Sequence, residues 1–292
     1  MLSGGTHVAM GAMSDTVLAN EPSRPRREIF YRHTAWVRAW HWINALAILF
    51  LLGSGLNIFN AHPRLYWGRY GADADTPFFA LGSVDAADGT THGITQIGAW
   101  QFDTTGVLGW SQTGGEYSAR GWPAWMTIPS FQDLADARHW HFLFAWILAI
   151  NLLVYLVWSL RRRHLQRDIV PSAADLKTIP RSILDHIRFK HPTGEAAKRY
   201  NVLQRLAYLG VLLLICLMVV TGLTMSPAFN AIFPWSLDIL GGRQSARSLH
   251  FLSAGLILLF VFVHVAEVFI AGVFNEVRSM ITGYFTVPGE HE

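Results

Sequence analysis

The chain has 292 residues, of which 51% are apolar and only 15% charged, with a mean hydropathy of +0.27. This mixture excludes an ordinary soluble enzyme of this length and favours a polytopic membrane protein. The single cysteine, Cys216, excludes an internal disulfide and any iron–sulfur or zinc site built on several thiols.

Four apolar windows are long enough to cross about 30 Å of hydrocarbon at 1.5 Å per residue. They lie at residues 36–59, 139–160, 203–225 and 249–271. They predict an all-α membrane protein, a bundle of four transmembrane helices over residues 28–286. Residues 1–27 lack the apolar core of a signal peptide and are predicted to form a disordered cytoplasmic tail, with a second short tail at 287–292.

Charge between the windows predicts the orientation. Residues 161–205 hold eleven Lys or Arg and four acids, whereas 58–137 hold three and eight. The positive-inside rule places a loop of about 161–202 and both termini in the cytoplasm, and a loop of about 60–137 in the periplasm of a bacterial inner membrane. The length of this second loop predicts a task of its own, either as an aromatic cap at the membrane interface or as a docking surface for a protein.

Three stretches share the pattern Arg-x-x-His-[Phe/Trp]-x-x-Ala at the start of an apolar segment. They place His41, His141 and His250 at membrane depth, and His264 follows fourteen residues after His250. Titratable side chains inside transmembrane helices are costly and usually functional, although any one of these histidines alone fits an interfacial hydrogen bond equally well. Two haems b with two axial imidazoles each use all four, which predicts a membrane electron carrier.

Helix geometry predicts how the histidines pair. Fourteen residues turn a helix by roughly 1400° and raise it by about 21 Å, so His250 and His264 share nearly one face at opposite depths. The first helix runs outward and the second inward, which brings His41 level with His264 and His141 level with His250. The expected ligand sets are therefore His41 with His264 for an inner haem and His141 with His250 for an outer haem.

His139 competes with His141 for the outer haem. Two residues apart on a helix, the two side chains point about 200° apart, so only one of them faces the haem. The repeated pattern favours His141, because His139 aligns with Ala39 and Ser248.

Each motif histidine follows an arginine by three residues. Arg38, Arg138 and Arg247 lie on the same helix face one turn nearer to water, where each is predicted to hold a haem propionate by charge-assisted hydrogen bonds. The alternative is an arginine that reaches out to lipid phosphates.

A quinone site is expected at the cytoplasmic start of the third helix. Asn201 and Gln204 lie on one face there, at the depth of the inner haem, and their amides donate to and accept from a quinone carbonyl. The alternative is helix capping by Asn201 with a solvated Gln204.

Over about residues 30–286 these features resemble the dihaem cytochrome b subunits that anchor respiratory oxidoreductases. That group includes the formate dehydrogenase gamma subunit, the nickel–iron hydrogenase b-type cytochrome and the thiosulfate-reductase-type cytochrome b. The similarity rests on residues 38–44, on the two His-Phe helix starts, on the fourteen-residue spacing and on Tyr200-Asn201-x-x-Gln204, which is similar to the gamma-subunit quinone motif. Residues 65–68 and 275–283 look most like the thiosulfate-reductase branch.

The resemblance implies two bis-histidine haems b, a quinone (ubiquinone or menaquinone) near the inner haem, and a periplasmic catalytic partner, often a molybdopterin enzyme. The expected function is electron transfer between that partner and the quinone pool, without a substrate-converting site in this chain alone. The alternatives are a partner-free cytochrome b acting on superoxide or ferric iron, and a haem-free anchor or transporter component. A zinc or copper transporter fits poorly, because the histidines lie at two depths without acidic or thiol companions.

Overall fold

The computed structural model describes residues 28–71, 75–188 and 201–287. The predicted tail at 1–27, all but the first residue of the predicted tail at 287–292, and Tyr200 of the quinone motif lie outside these ranges. In chain order the helices are α1 (Ala35–Asn60), α2 (Leu134–Arg162), α3 (Ala173–Lys177), α4 (Ile179–Ile187), α5 (Val202–Thr224), α6 (Pro227–Ile232), α7 (Trp235–Ile239) and α8 (Arg243–Thr282). The strands are β1 (Glu28–Tyr31), β2 (Arg64–Leu65), β3 (Phe79–Asp85), β4 (Thr91–Ile97), β5 (Trp100–Asp103), β6 (Gly109–Thr113), β7 (Glu116–Arg120) and β8 (Tyr284–Val287).

Among the described residues, four helices, α1, α2, α5 and α8, are long and apolar enough to cross a membrane. Each covers one predicted window, except that the third window runs one residue beyond the end of α5. Polar side chains cap the start of three of them, α1, α2 and α5, because the first N–H groups of a helix lack partners within it. Asp133 accepts from the backbone N–H groups of Ala135 and Asp136 at the start of α2. In α8 the backbone leaves helical geometry at Gly272 (φ 106°, ψ 84°), directly after the predicted window ends.

The prediction of an all-α protein is wrong for residues 60–137, which form six strands. Strands β2, β3, β4 and β5 build an antiparallel sheet in that order, and β6 pairs with β7. The segments are short and separated by turns, two of which contain Gly89 (φ 83°) and Gly98 (φ 58°). Glycine tolerates this left-handed backbone without steric cost, so these turns favour hairpins over a helix.

The four long helices alternate in direction. Strands β1 and β8 pair antiparallel at the start of α1 and the end of α8, and we call this end of the bundle the tail-side end. The opposite end, which carries β2 to β7, is the strand-side end. The helices meet in one apolar core between the two ends, formed by Ala47, Phe144, Leu148, Ile215 and Ile257.

Buried polar side chains attach the strand region to the helix ends. The Asn60 amide donates to the Trp122 carbonyl (3.1 Å) and accepts from the Trp122 N–H (2.7 Å). The Asn57 amide donates to the carbonyls of Pro129 (2.8 Å) and Phe131 (2.9 Å). Burial without these bonds is unfavourable, so the end of α1 fixes the position of the segment that leads into α2.

We expect Asn60→Ala to loosen the strand region without disturbing the bundle core. The substitution leaves the part-buried N–H and C=O of Trp122 without their partner, which costs about 1–3 kcal/mol. Hydrogen exchange should speed up in β2 to β7 and stay unchanged in the middle of α1 and α5. Gln101→Ala, at an exposed position on β5, is the matched control, and equal exchange in the two variants would contradict this role of Asn60.

Candidate functional site

The four motif histidines meet in two pairs, as the depth argument predicted. The ring centroids of His141 and His250 lie 6.2 Å apart with an interplanar angle of 57°. Those of His41 and His264 also lie 6.2 Å apart, at 59°. We call the first the strand-side pair and the second the tail-side pair, after the ends of the bundle near which they lie.

Helix α8 contributes one ring to each pair. Its fourteen-residue spacing separates the two ring positions by about 21 Å along the axis. The partner ring comes from α2 in the strand-side pair and from α1 in the tail-side pair, since each of these helices carries its histidine near its own first turns. The two pairs are therefore stacked along the bundle with the apolar core around them.

Hydroxyl groups hold the strand-side pair in place. Nδ1 of His141 lies 3.1 Å from Oγ of Ser54 on α1, and Nδ1 of His250 lies 2.9 Å from Oγ1 of Thr221 on α5. Both hydroxyl-bearing residues have 0% of their surface exposed. The neighbouring helix thus orients each imidazole, with α1 supporting a ring from α2 and α5 supporting a ring from α8.

A glycine follows each of these hydroxyl residues and lies against the same ring. A Cβ placed on Gly55 would lie 3.4 Å from Cε1 of His141, and one on Gly222 would lie 3.4 Å from Cε1 of His250. The sequence analysis did not single out Ser54, Thr221 or Gly222. Its available signal was the repeat of Ser-Gly-Leu at 54–56 and Thr-Gly-Leu at 221–223.

The tail-side pair is held by rings instead. The ring of His264 stacks on Phe260 at 5.8 Å and 4°, and the ring of His41 meets Trp42 edge-on at 5.1 Å. Nδ1 of His41 is buried and has no hydrogen-bond partner within the described ranges. The two pairs share a spacing and differ in the groups around them.

His139 does not join either pair. Its side chain is 83% exposed, and Nδ1 lies 4.0 Å from Oδ1 of Asp136. Because side chains two residues apart on a helix point in nearly opposite directions, the ring of His139 points away from that of His141.

The three arginines of the motif contact protein groups. Arg38 donates to the carbonyl of Ile281, and Arg247 donates to the carbonyls of Arg64 (2.8 Å) and His62. The Arg138 guanidinium lies 5.5 Å from the ring centroid of Phe142, and its residue is exposed. Arg38 and Arg247 thus fasten the tail-side and strand-side ends of α8.

Asn201 and Gln204 form a reciprocal capping box at the start of α5. Oδ1 of Asn201 accepts from the Gln204 N–H (2.8 Å), and Oε1 of Gln204 accepts from the Asn201 N–H (3.2 Å). The side-chain carbonyl oxygens of Asn201 and Gln204 therefore cap the helix, as the capping alternative predicted for Asn201. The amide NH₂ groups are not used in these two bonds.

Arg205 holds the same end of α5 in place. It donates to the carboxylate of Asp175 (2.7 Å) and to the carbonyls of Arg167 and Val170 (both 2.9 Å). Hydrogen bonds from Ser172, together with the Arg205 charge, keep the pKa of Asp175 below its usual range. The loop after α2 is thereby fixed against α5.

A cavity of about 390 Å³ opens at the tail-side end of α1 and α2. A hydrogen-bonded pair on its wall joins Nδ1 of His164 to Oδ2 of Asp168 at 2.6 Å. The wall also includes Trp158, whose ring packs edge-on against Trp40 at 5.0 Å, and Trp40 precedes His41 in the chain. The lining residues are Thr34, Trp36, Trp158, Arg162, His164, Arg167 and Asp168.

Neither histidine pair offers the ligands of a bare metal ion. Within the described ranges, no cluster of three or more His, Cys, Asp or Glu side chains is placed to bind a metal. A protein zinc site uses three or four such ligands. Two facing imidazoles instead suit a metal whose other ligands come with a macrocycle.

Comparison with known proteins also points to a protein that holds haem. The chain is similar to the putative protein-methionine-sulfoxide reductase subunit YedZ1 of Azospira oryzae, with 28% identity over 258 residues that cover 88% of this chain and 99% of the relative. It is also similar to the probable Ni/Fe-hydrogenase B-type cytochrome subunit of Cupriavidus necator, with 24% identity over 270 residues that cover 88% of this chain and 86% of the relative. No solved structure matches the chain.

The family described as prokaryotic cytochrome b561 matches residues 32–283. This match spans all four apolar helices and both histidine pairs. The predicted resemblance to b-type cytochrome subunits is thereby confirmed. The chain belongs to the prokaryotic cytochrome b561 family, whose b-type haem cytochromes serve as membrane electron-transport subunits of oxidoreductase systems.

Proposed function

We propose that the chain carries electrons through the membrane on two haems b, one held by each histidine pair. The observation that carries this proposal is the equal 6.2 Å separation of two imidazole pairs at the two ends of one bundle. His141 and His250 would hold the haem iron on the strand side, and His41 and His264 would hold it on the tail side. Iron supplies the one-electron chemistry when it is bound, and the chain supplies ligation, burial and spacing.

The ring spacing fits two axial ligands on one metal. Two metal–imidazole bonds of about 2 Å each, with roughly 1 Å from each nitrogen to its ring centre, put the two centroids about 6 Å apart. Both pairs satisfy this distance. The same spacing at two separate sites supports the same role for both pairs.

The strand-side end is proposed to face the periplasm and to dock the catalytic partner. The acid-rich composition of 58–137 and the basic composition of 161–205 support this orientation. Exposed aromatic rings on the strand region suit a protein interface: Trp67, Tyr70, Trp100, Tyr117 and Trp125. Both relatives are named as subunits, which supports a separate catalytic subunit. We propose that this subunit is a molybdopterin enzyme.

Arg38, Arg138 and Arg247 stay predicted propionate partners. Each guanidinium carries five N–H donors, so the contacts of Arg38 and Arg247 with carbonyls leave donors for a propionate. The roles of Arg38 and Arg247 as anchors of α8 stand independently of this proposal.

The quinone is proposed to react at the tail-side end, where the tail-side pair lies nearest to the cytoplasm. The amide NH₂ groups of Asn201 and Gln204 are donors suited to a quinone carbonyl, while their oxygens cap α5. The cavity beside His164 and Asp168 is the competing position at the same end, since its tryptophans and hydrogen-bonded imidazole also suit a quinone ring.

Two alternatives make different predictions. A partner-free cytochrome b acting on superoxide or ferric iron would purify without a second subunit. A haem-free anchor would purify colourless. The aromatic surface of the strand region and the paired histidines favour the two-haem electron carrier that works with a partner.

The ligand assignment predicts haem content. Purified wild type should contain two haems b per chain, with low-spin absorption bands after dithionite reduction. His141→Ala should contain one, because its partner imidazole alone cannot hold a bis-histidine haem. His139→Ala is the matched control two residues away and should keep two; a colourless wild type, or loss of haem in the control alone, would overturn the proposal.

The quinone position can be tested without breaking the cap of α5. In an Asn201→Asp, Gln204→Glu double variant, the oxygens still accept from the same backbone N–H groups, but both NH₂ donors are gone. We expect menadiol to reduce the haems at least tenfold more slowly in this variant, at unchanged haem content, because the oxygen that becomes the quinone carbonyl loses a hydrogen bond worth about 1.4 kcal/mol. Stopped-flow absorbance measures the rate.

His164→Ala is the comparison variant for this experiment. Menadiol should reduce its haems at the wild-type rate if the quinone binds at the start of α5. Slow haem reduction in His164→Ala, together with a wild-type rate in the double variant, would instead assign the quinone site to the cavity.

A further inference from the structure

The strand-side pair is surrounded by two matching hydrogen-bonded cradles, formed by Ser54-Gly55 on α1 and Thr221-Gly222 on α5. In each, a hydroxyl lies within 3.1 Å of an imidazole Nδ1, and the next residue is a glycine whose absent side chain leaves room at Cε1 of the same ring. The cradles lie on different helices and support different histidines. They are therefore two occurrences of one arrangement.

The direction of each hydrogen bond follows from the use of the hydroxyl proton. Oγ of Ser54 donates to the carbonyl of Phe50 (2.5 Å), and Oγ1 of Thr221 donates to the carbonyl of Leu217 (2.7 Å). A hydroxyl has one proton and further acceptor capacity. Each hydroxyl therefore accepts a hydrogen bond from Nδ1–H, which leaves Nε2 of each ring with its lone pair for a metal.

The bond also changes the imidazole as a ligand. An N–H that donates to an outer group makes the ring a more basic ligand, and a hydroxyl that donates onward is a stronger acceptor. More basic axial ligands favour the oxidised state of iron, since it carries the greater positive charge. Hydrogen bonds to the ligands are among the means by which a protein sets a haem potential.

The tail-side pair lacks the matching arrangement at one of its rings. Nδ1 of His41 is buried with no acceptor among the residues that the structure describes. The neighbouring ring of His264 lies flat on Phe260. The ligands on this side consequently stabilise oxidised iron less.

We propose that the Ser54 and Thr221 hydroxyls make the strand-side haem the lower-potential haem, so that electrons pass from the strand side to the tail side. Ser54 and Thr221 are positioning residues that act through His141 and His250. With haems bound, His141 and His250 would hold the electron donor and His41 and His264 the acceptor, so a one-electron transfer between them would need no further reactant. The inference rests on the proposed two-haem function and adds the direction of flow.

A redox titration of the haem absorbance in the purified full-length protein tests it. Wild type should show two waves, and the wave missing from His141→Ala, which identifies the strand-side haem, should be the lower one. Ser54→Ala and Thr221→Val should each raise the midpoint potential of that wave. The expected rise is about 59 mV, which is a tenfold change in the one-electron reduction equilibrium constant. The other wave should stay in place.

Two control variants separate electronic from structural effects. Thr221→Ser keeps the hydroxyl and should keep the wild-type potential. Thr224→Val removes a buried hydroxyl one turn further along α5, which donates to the carbonyl of Thr221, and should also leave both waves unchanged.

Each remaining outcome decides the question. Three outcomes would overturn the inference while leaving the two-haem function intact. The first is that neither Ser54→Ala nor Thr221→Val moves a wave, and the second is that Thr221→Ser shifts the potential as much as Thr221→Val does. The third is that His141→Ala lacks the higher-potential wave. Loss of the strand-side haem from both hydroxyl-free variants, but not from Thr221→Ser, would show that the hydroxyls only hold the rings and would also overturn it. A wild type without two haems would defeat the proposed function itself.

Discussion

Helix α8 supplies one histidine to each pair, and the fixed rise of an α-helix sets the distance between the pairs. Fourteen residues at 1.5 Å each hold the two positions about 21 Å apart, and no side-chain rearrangement changes that distance. Helices α1 and α2 then need only present a histidine near their own first turns, because they run in opposite directions. The core residues and the hydroxyl cradles refine positions that α8 has already set.

The strand region is attached where it affects the strand-side pair most directly. Arg247 and Ser248, three and two residues before His250, donate to the carbonyls of the segment that contains β2. Asn57 fixes the segment before α2 from the end of α1, three residues after Ser54. A partner that docks on the exposed aromatic rings would therefore contact a surface connected to these imidazoles by a few hydrogen bonds.

The sequence alone predicts the parts that depend on local periodicity. The four spans follow from apolar windows, and the contacts of His41 with His264 and of His141 with His250 follow from depth and direction, without knowledge of packing. The assignment of these rings as haem ligands stays a prediction. The six strands of 60–137 were missed because long apolar helices dominated the interpretation, although Gly89 and Gly98 mark hairpin turns within that segment.

Contacts between distant segments were beyond the sequence for a different reason. Arg247 donates to carbonyls more than 180 positions earlier, and no pattern around Arg247 contains that information. Ser54 and Thr221 were missed because a small hydroxyl residue in an apolar helix is common, and only the ring that it faces gives it a role. The capping box of Asn201 and Gln204, by contrast, was visible as an alternative, because its three-residue spacing is local.

The pairing of β1 with β8 has a topological meaning. Glu28 and Val287 are register partners, so the two ends of the membrane domain adjoin and the chain nearly closes into a ring. Closely spaced ends are what permits circular permutation. A chain joined there by a short linker and opened between α2 and α5 would keep every contact described for the four imidazoles. The point at which the polypeptide starts would thus be free to change, and the arrangement of the helices around the bundle is what positions the rings.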